Sequence, residues 1–208
     1  MSQRFFVHPE TPQLRLMKEA TRILRGGGVM AYPTDSCYAL GCMIGNKDGM
    51  DRIRALRGVD DKHHFTLVCR DLSEIATYAR VDNGQYRILR AATPGCYTFI
   101  LEATREVPRR LQHPKRSSIG IRVPDHAVVN ALLAELGEPI LSMSLILPGF
   151  DTPLLDPEEI VDSVGARLDL VIDAGYCGGE PSTVVDLTSG VPELVRRGNG
   201  DPTRVGLA

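Results

Sequence analysis

Three oxygen-bearing side chains, Thr34, Asp35 and Ser36, interrupt an apolar run in "VMAYPTDSCYALGC". Pro33 has no N–H to give a ladder, so the chain must leave regular pairing there. The three polar side chains are then left at a strand end, where open α/β sheets place ligands. The same spacing also suits an Asx or Ser/Thr turn that only closes the strand. Further along, "RALRGVDDKHHFTLV" carries Arg54, Arg57, Lys62, His63 and His64 into a strand. Arg57 ahead of a glycine can meet a phosphate, or it can sit in the last turn of a helix and complement its dipole. Adjacent histidines point to opposite sides of an extended chain, so His63 and His64 make a poor metal pair.

From Arg105 to Arg116 the chain has five basic residues, Arg105, Arg109, Arg110, Lys115 and Arg116, against the single acid Glu106. Two prolines interrupt the run, which predicts an exposed loop: either a solvated face or a contact for RNA phosphates. Arg122 differs, because it ends the apolar strand "SIGIRV". A guanidinium there is partly buried and needs a carboxylate or phosphate partner. Ser182 opens the strand "STVVDLT", and Arg196 closes the strand "ELVRR" before a Gly-Asn-Gly turn. Hydroxyls and guanidinium groups at strand ends can converge on an anion or merely cap a sheet edge. The chain has no Walker loop, Gly-x-Ser-x-Gly elbow or His-Glu-x-x-His helix, so any nucleotide site is unconventional and no catalytic residue or metal ligand is assigned.

The elements that must position these residues alternate along the chain. Thr11-Pro12 reads as the start of a helix that Gly26-Gly27-Gly28 stops, and the strand "VMAY" follows. Further helices are predicted at 49–56, from Asp71 over "DLSEIATYA", at 85–91, over "HAVVNALLAEL" up to Gly137, and after Asp156-Pro157. Strands are predicted at "FTLVC", "YTFILEA", "SIGIRV", "PILSMSLIL", "DLVIDAG", "STVVDLT" and "ELVRR". This is an α/β chain of the α+β type with a mixed sheet, and with no linker to cut it residues 1–208 are expected to form one domain.

Composition narrows the classes. Of the 208 residues, 43% are hydrophobic and 24% charged, enough for one sizeable core. The net charge of −2 disfavours a wholly basic nucleic-acid binder but leaves a local patch open. Five cysteines without a C-x-x-C pair suit reduced thiols. No stretch approaches the roughly 18 apolar residues of a membrane helix, and the first residues lack a secretion signal, so a soluble, cytoplasmic protein is expected.

In order, "GGVMAYPTDSCYALGC", "RALRGVDDKHHFTLVCRD", "PGCYTFIL", "IGIRVPDHAVVNALL", "PSTVVDLT" and "LVRRG" resemble the YrdC/YciO family, over residues from about Pro9 to Gly198. With "TPGCYTFIL" and "EVPRRL" the chain looks most like the YciO branch. The resemblance implies one α/β domain whose twisted sheet, flanked by helices, surrounds a large concave cavity, as in dihydroxybutanone phosphate synthase. It implies a nucleotidyltransferase activity related to threonylcarbamoyl-AMP synthesis from L-threonine, bicarbonate and ATP, for threonylcarbamoyl-adenosine in tRNA. It also implies binding of double-stranded RNA, tRNA or other structured RNA, which leaves an RNA-binding protein without adenylate-forming activity as the alternative. By position, Thr34, Arg122 and Ser182 would hold the amino acid, and Arg57, Ser144 and Arg196 the nucleotide. ATP would bring magnesium as a substrate complex, with no permanently bound cofactor and no membrane partner. Two positions depart from the synthase motifs: Val59 stands where the synthases have arginine, and Ile146 where they have asparagine. Losing those donors implies a slow synthase, by about 2 to 4 kcal/mol of transition-state stabilisation.

Overall fold

A strand sends successive side chains to opposite faces, and this chain uses the two faces differently. The computed structural model describes residues 2–61, 63–113, 115 and 117–207. Its strands are β1 (Gln3–Phe6), β2 (Met30–Tyr32), β3 (Ala39–Met43), β4 (Thr66–Val68), β5 (Tyr97–Glu102), β6 (Ser118–Arg122), β7 (Ile140–Ser144), β8 (Leu170–Asp173), β9 (Thr183–Asp186) and β10 (Glu193–Arg196). They form a single sheet in the order β1-β8-β2-β3-β7-β4-β6-β5-β9-β10. Pairing is mixed: β4 runs parallel to β6 but antiparallel to β7, and β5 runs antiparallel to β6 but parallel to β9.

Around the sheet lie α1 (Leu14–Arg25), α2 (Lys47–Arg57), α3 (Leu72–Tyr78), α4 (Asn83–Ala92), α5 (Ala127–Leu136) and α6 (Pro157–Val164). Several caps are the ones the sequence predicts. The Asp71 carboxylate accepts from Glu74 N, Gly137 closes α5 in the left-handed region, and Asp156 precedes Pro157 in the first turn of α6. The expected start at Thr11 is corrected: Gln13 caps α1 without a side-chain bond, and the Thr11 hydroxyl instead meets His8 Nδ1 at 3.0 Å. Two strands were not predicted. β1 is a short, partly exposed edge, and β3 carries Gly41, a weak strand former.

One face is fully covered. Met50, Ile53 and Leu56 of α2, Ile75 of α3, Leu89 of α4 and Ile160 of α6 pack in one cluster with Leu67, Phe99, Leu101, Ile119, Ile121, Leu141 and Val185 from the strands. The other face is covered only in part. There α1 and α5 bury Met17, Leu24, Leu132, Leu133 and Leu136 against Met30, Tyr32, Ala39, Ile140, Leu170 and Ile172. Each such side chain stabilises the fold by roughly 1.5–3 kcal/mol. Arg25 Nη2 donates to the Leu136 carbonyl at 2.8 Å and joins the ends of the two helices. Beyond them, over β7-β4-β6-β5-β9, no helix covers this face among the described residues, and a cavity of about 280 Å³ occupies it.

The asymmetry predicts a contrast along β5 and β9. Phe99 is fully buried under the helices, and Phe99→Ala should cost about 3–5 kcal/mol in urea unfolding. Val184 faces the cavity, and Val184→Ala should cost below about 1 kcal/mol. Equal costs would contradict this assignment of faces.

Candidate functional site

The floor of the cavity is a register row. Ser142 of β7 pairs with Thr66 of β4, Thr66 with Gly120 of β6, Gly120 with Ile100 of β5, and Ile100 with Asp186 of β9. All five line the cavity, as do Ser118, Arg122, Thr98, Ser144, Ser182 and Val184 from adjacent rows. Ser, Thr and Gly outnumber the larger Ile100 and Val184 in these positions and leave room above the sheet. Two hydroxyl pairs stiffen this surface: Thr98 Oγ1 with Ser182 Oγ, and Tyr32 Oη with Ser142 Oγ, both at 2.7 Å.

Three guanidinium groups enter from the rim. Arg122, at the end of β6, donates through Nη2 to the Asp35 carboxylate and, at 2.8 Å, to Ser36 Oγ. The second Asp35 oxygen accepts from Asp125 N at 3.0 Å, just before α5. Arg57 ends α2 and donates to the Ser144 carbonyl. Gly58, left-handed, closes the helix after it and lies where a Cβ would press on Pro148. Arg196, at the end of β10, donates to the Ser182 carbonyl at 2.7 and 3.2 Å. The Nε atoms of Arg57 and Arg122 are buried without a hydrogen-bond partner among the described residues.

Burial pushes the Arg57 pKa down, with Arg196 adding to the effect. Burial likewise lowers that of Arg196, opposed by Cys37 and reinforced by Arg122. Desolvated cations that repel one another are stabilised by an anion placed among them. His63 and His64 stand at the mouth, and burial lowers both their pKa values, next through Arg57 for His63 and His113 for His64.

Of the residues singled out in the sequence, Arg57, Arg122, Ser144, Ser182 and Arg196 meet in this one cavity. Thr34 is not among the residues that line it. It is 2% exposed, and its Oγ1 donates to the Cys37 carbonyl at 2.7 Å while accepting from the backbone of Ser36 and Cys37. Thr34 therefore closes a Ser/Thr turn. Gly178 lies against that turn so closely that any Cβ there would overlap the Ser36 carbonyl oxygen. Val59 packs against the core, whereas Ile146 lines the cavity.

A second groove, of about 660 Å³, adjoins the cavity and shares His63, His64, Phe65 and His113 with it. Arg54, Arg109, Arg110 and Lys115 also line it. The segment expected as a freely exposed loop is anchored by buried Val107 and Leu111, and Arg110 Nη2 donates to the Gly45 carbonyl at 2.8 Å. Arg105 is exposed but is not in the groove, and Lys62 and Arg116 lie outside the described residues. Sequence reading missed Thr66, Thr98, Ser118, Gly120 and Ser142. For Ser118, Gly120 and Ser142 the signal is the alternation in "SIGIR" and "SMS" of short or polar residues with buried apolar ones; Thr66 and Thr98 have no such local signal.

Residues 22–198 match the sequence profile of the Sua5/YciO/YrdC family, described as "Telomere recombination". The YciO protein of Escherichia coli K12 is 54% identical over 201 residues, covering 97% of this chain and 98% of its own. Its crystal structure superposes with a TM-score of 0.95 at 53% identity, covering 99% of this chain and 100% of that one. A protein of Haemophilus influenzae Rd is 57% identical over 201 residues, 96% of this chain and 97% of its own. Sua5 of P. abyssi, crystallised with L-threonine, superposes with a TM-score of 0.87 at 22% identity, over 95% of this chain and 58% of that one, a likeness of fold.

The mouth predicts a pH dependence. Histidines held below their usual pKa take up protons when an anion binds, so affinity for sulfate, whose charge is constant, should rise roughly three- to tenfold between about pH 7.5 and about pH 5. Calorimetry on the protein and on His63→Gln with His64→Gln checks this. Affinity that is flat or falls as the pH drops would contradict it.

Proposed function

The chain belongs to the Sua5/YciO/YrdC family, and we propose that its cavity binds L-threonine or its carbamate beside the phosphates of ATP, in a reaction related to threonylcarbamoyl-AMP synthesis. The observation that carries this reading is the convergence of Arg57, Arg122 and Arg196 on one hydroxyl-lined cavity. Three half-satisfied guanidinium groups call for a ligand with more than one anionic centre. A cavity of about 280 Å³ is small for a whole adenylate, so the nucleotide extends toward the adjoining groove.

The chemistry asks little of the protein beyond position and charge. The threonine amine takes up bicarbonate to form a carbamate and water. A carbamate oxygen then attacks the α-phosphorus of ATP, and pyrophosphate leaves, with magnesium arriving as part of the ATP substrate. Arg57 and Arg196 offset the charge of the phosphates, while Arg122 and Ser182 orient the threonyl group. Ser144 lies between these two ends, with its carbonyl holding Arg57. Ile146 presents a hydrocarbon to the cavity where an amide would donate, which slows the displacement.

A second reading, RNA binding without adenylate formation, draws on the groove that runs from the cavity past Arg109, Arg110 and Lys115. Such binding would weaken steeply with salt, and Arg109→Ala should reduce the log-log slope by about 1. Arg109 is the cleaner probe, since Arg110 also anchors its own loop. Binding to tRNA that ignores salt would remove this reading.

The synthase reading predicts pyrophosphate release that requires both threonine and bicarbonate. Ile146→Asn should raise it about tenfold by restoring one donor. No release at high enzyme concentration, with or without that substitution, would sink the proposal.

A further inference from the structure

Arg122 is the most deeply set of the three guanidinium groups, and it is also the one that carries its own carboxylate. Its side chain and that of Asp35 are each 8% exposed, and Asp35 is held in turn by the backbone N–H of Asp125. The other two arginines differ. Among the described residues, Arg57 donates only to a carbonyl, and Arg196 only to the carbonyl and hydroxyl of Ser182. The remaining carboxylate in the cavity, Asp186, accepts from the backbone and hydroxyl of Thr188 at 2.8 and 2.6 Å.

We propose that Asp35 is a specificity-determining residue, which cancels the charge of Arg122 so that this end of the cavity takes a carboxylate or zwitterion and refuses phosphate. A ligand at Arg122 meets a guanidinium already paired with the Asp35 carboxylate, so the attraction of the cation is largely offset. Recognition there rests on the directed N–H donors of the Arg122 guanidinium that Asp35 and Ser36 do not take. A doubly charged phosphate gains little and is repelled by Asp35. It is left to Arg57 and Arg196, whose charges nothing comparable offsets. Asp35 thereby fixes which end of a two-ended ligand goes where, through Arg122 and without itself standing on the cavity wall.

This inference deepens the proposed function but is tested apart from it, with inorganic phosphate as the probe. Isothermal titration should count one phosphate per wild-type chain and a second in Asp35→Asn, the new site at least about tenfold tighter than any residual wild-type binding there. The neutral pair Asp35→Asn with Arg122→Gln should return to one, and it remains informative if the single variant folds poorly. A single phosphate in a folded Asp35→Asn, or loss of the only phosphate in the neutral pair, would overturn the assignment. Titration with L-threonine on the same samples separates the two claims. If wild type binds no threonine, the proposed function fails, while the phosphate count still decides the role of Asp35.

Discussion

Alternation along a strand is the constraint on which everything else rests. In β6 and β7 one set of alternate residues, Ile119, Ile121, Leu141 and Met143, is apolar and packs in the helix-covered cluster, and the other, Ser118, Gly120, Arg122, Ser142 and Ser144, is short, hydroxylated or charged and lines the cavity, joined there by Thr98 of β5 and Ser182 ahead of β9. Had the second set been aliphatic, the uncovered half of the sheet would expose an apolar patch of the kind that seeks another surface. With Ser, Thr and Gly in those places the surface tolerates water and accepts a polar ligand. The covered face supplies the stability and the uncovered face the chemistry, from the same strands.

Charge then gives the cavity a direction. One guanidinium is neutralised by a buried carboxylate, while half-buried Arg57 and exposed Arg196 have none among the described residues. A partly buried cation without a counter-ion, as at Arg57, is costly, and proteins keep one where a ligand supplies the missing charge. The hollow is therefore polarised between a quiet end near Asp35 and a hungry end near Arg57 and Arg196. A molecule with a carboxylate at one end and phosphates at the other fits that gradient.

Much of this was legible in the chain. Arg122 was expected to end an apolar strand half-buried and in need of a partner, and Asp35, 87 positions away, is that partner. The family resemblance was sound as well: profile, relatives and fold agree on it. The hydroxyls of the floor carry no motif of their own in the chain. The relevant pattern runs across strands, and the pairing of "SIGIR" with "TLV" and "TFI" follows from sheet order, not from local spacing. At Thr34 a Ser/Thr turn and a ligand pocket ask for the same residue type, and the structure adds the turn's bond to the Cys37 carbonyl. The basic segment looked like a solvated loop because Val107 and Leu111, which pin it, are isolated apolar residues among charges.

The most direct test is a crystal soaked with L-threonine and ATP. Density should appear in the uncovered half of the sheet, with phosphate oxygens against Arg57 and Arg196 and a carboxylate against Arg122. An unoccupied cavity at saturating ligand, or the phosphates lodged beside Asp35, would contradict the account.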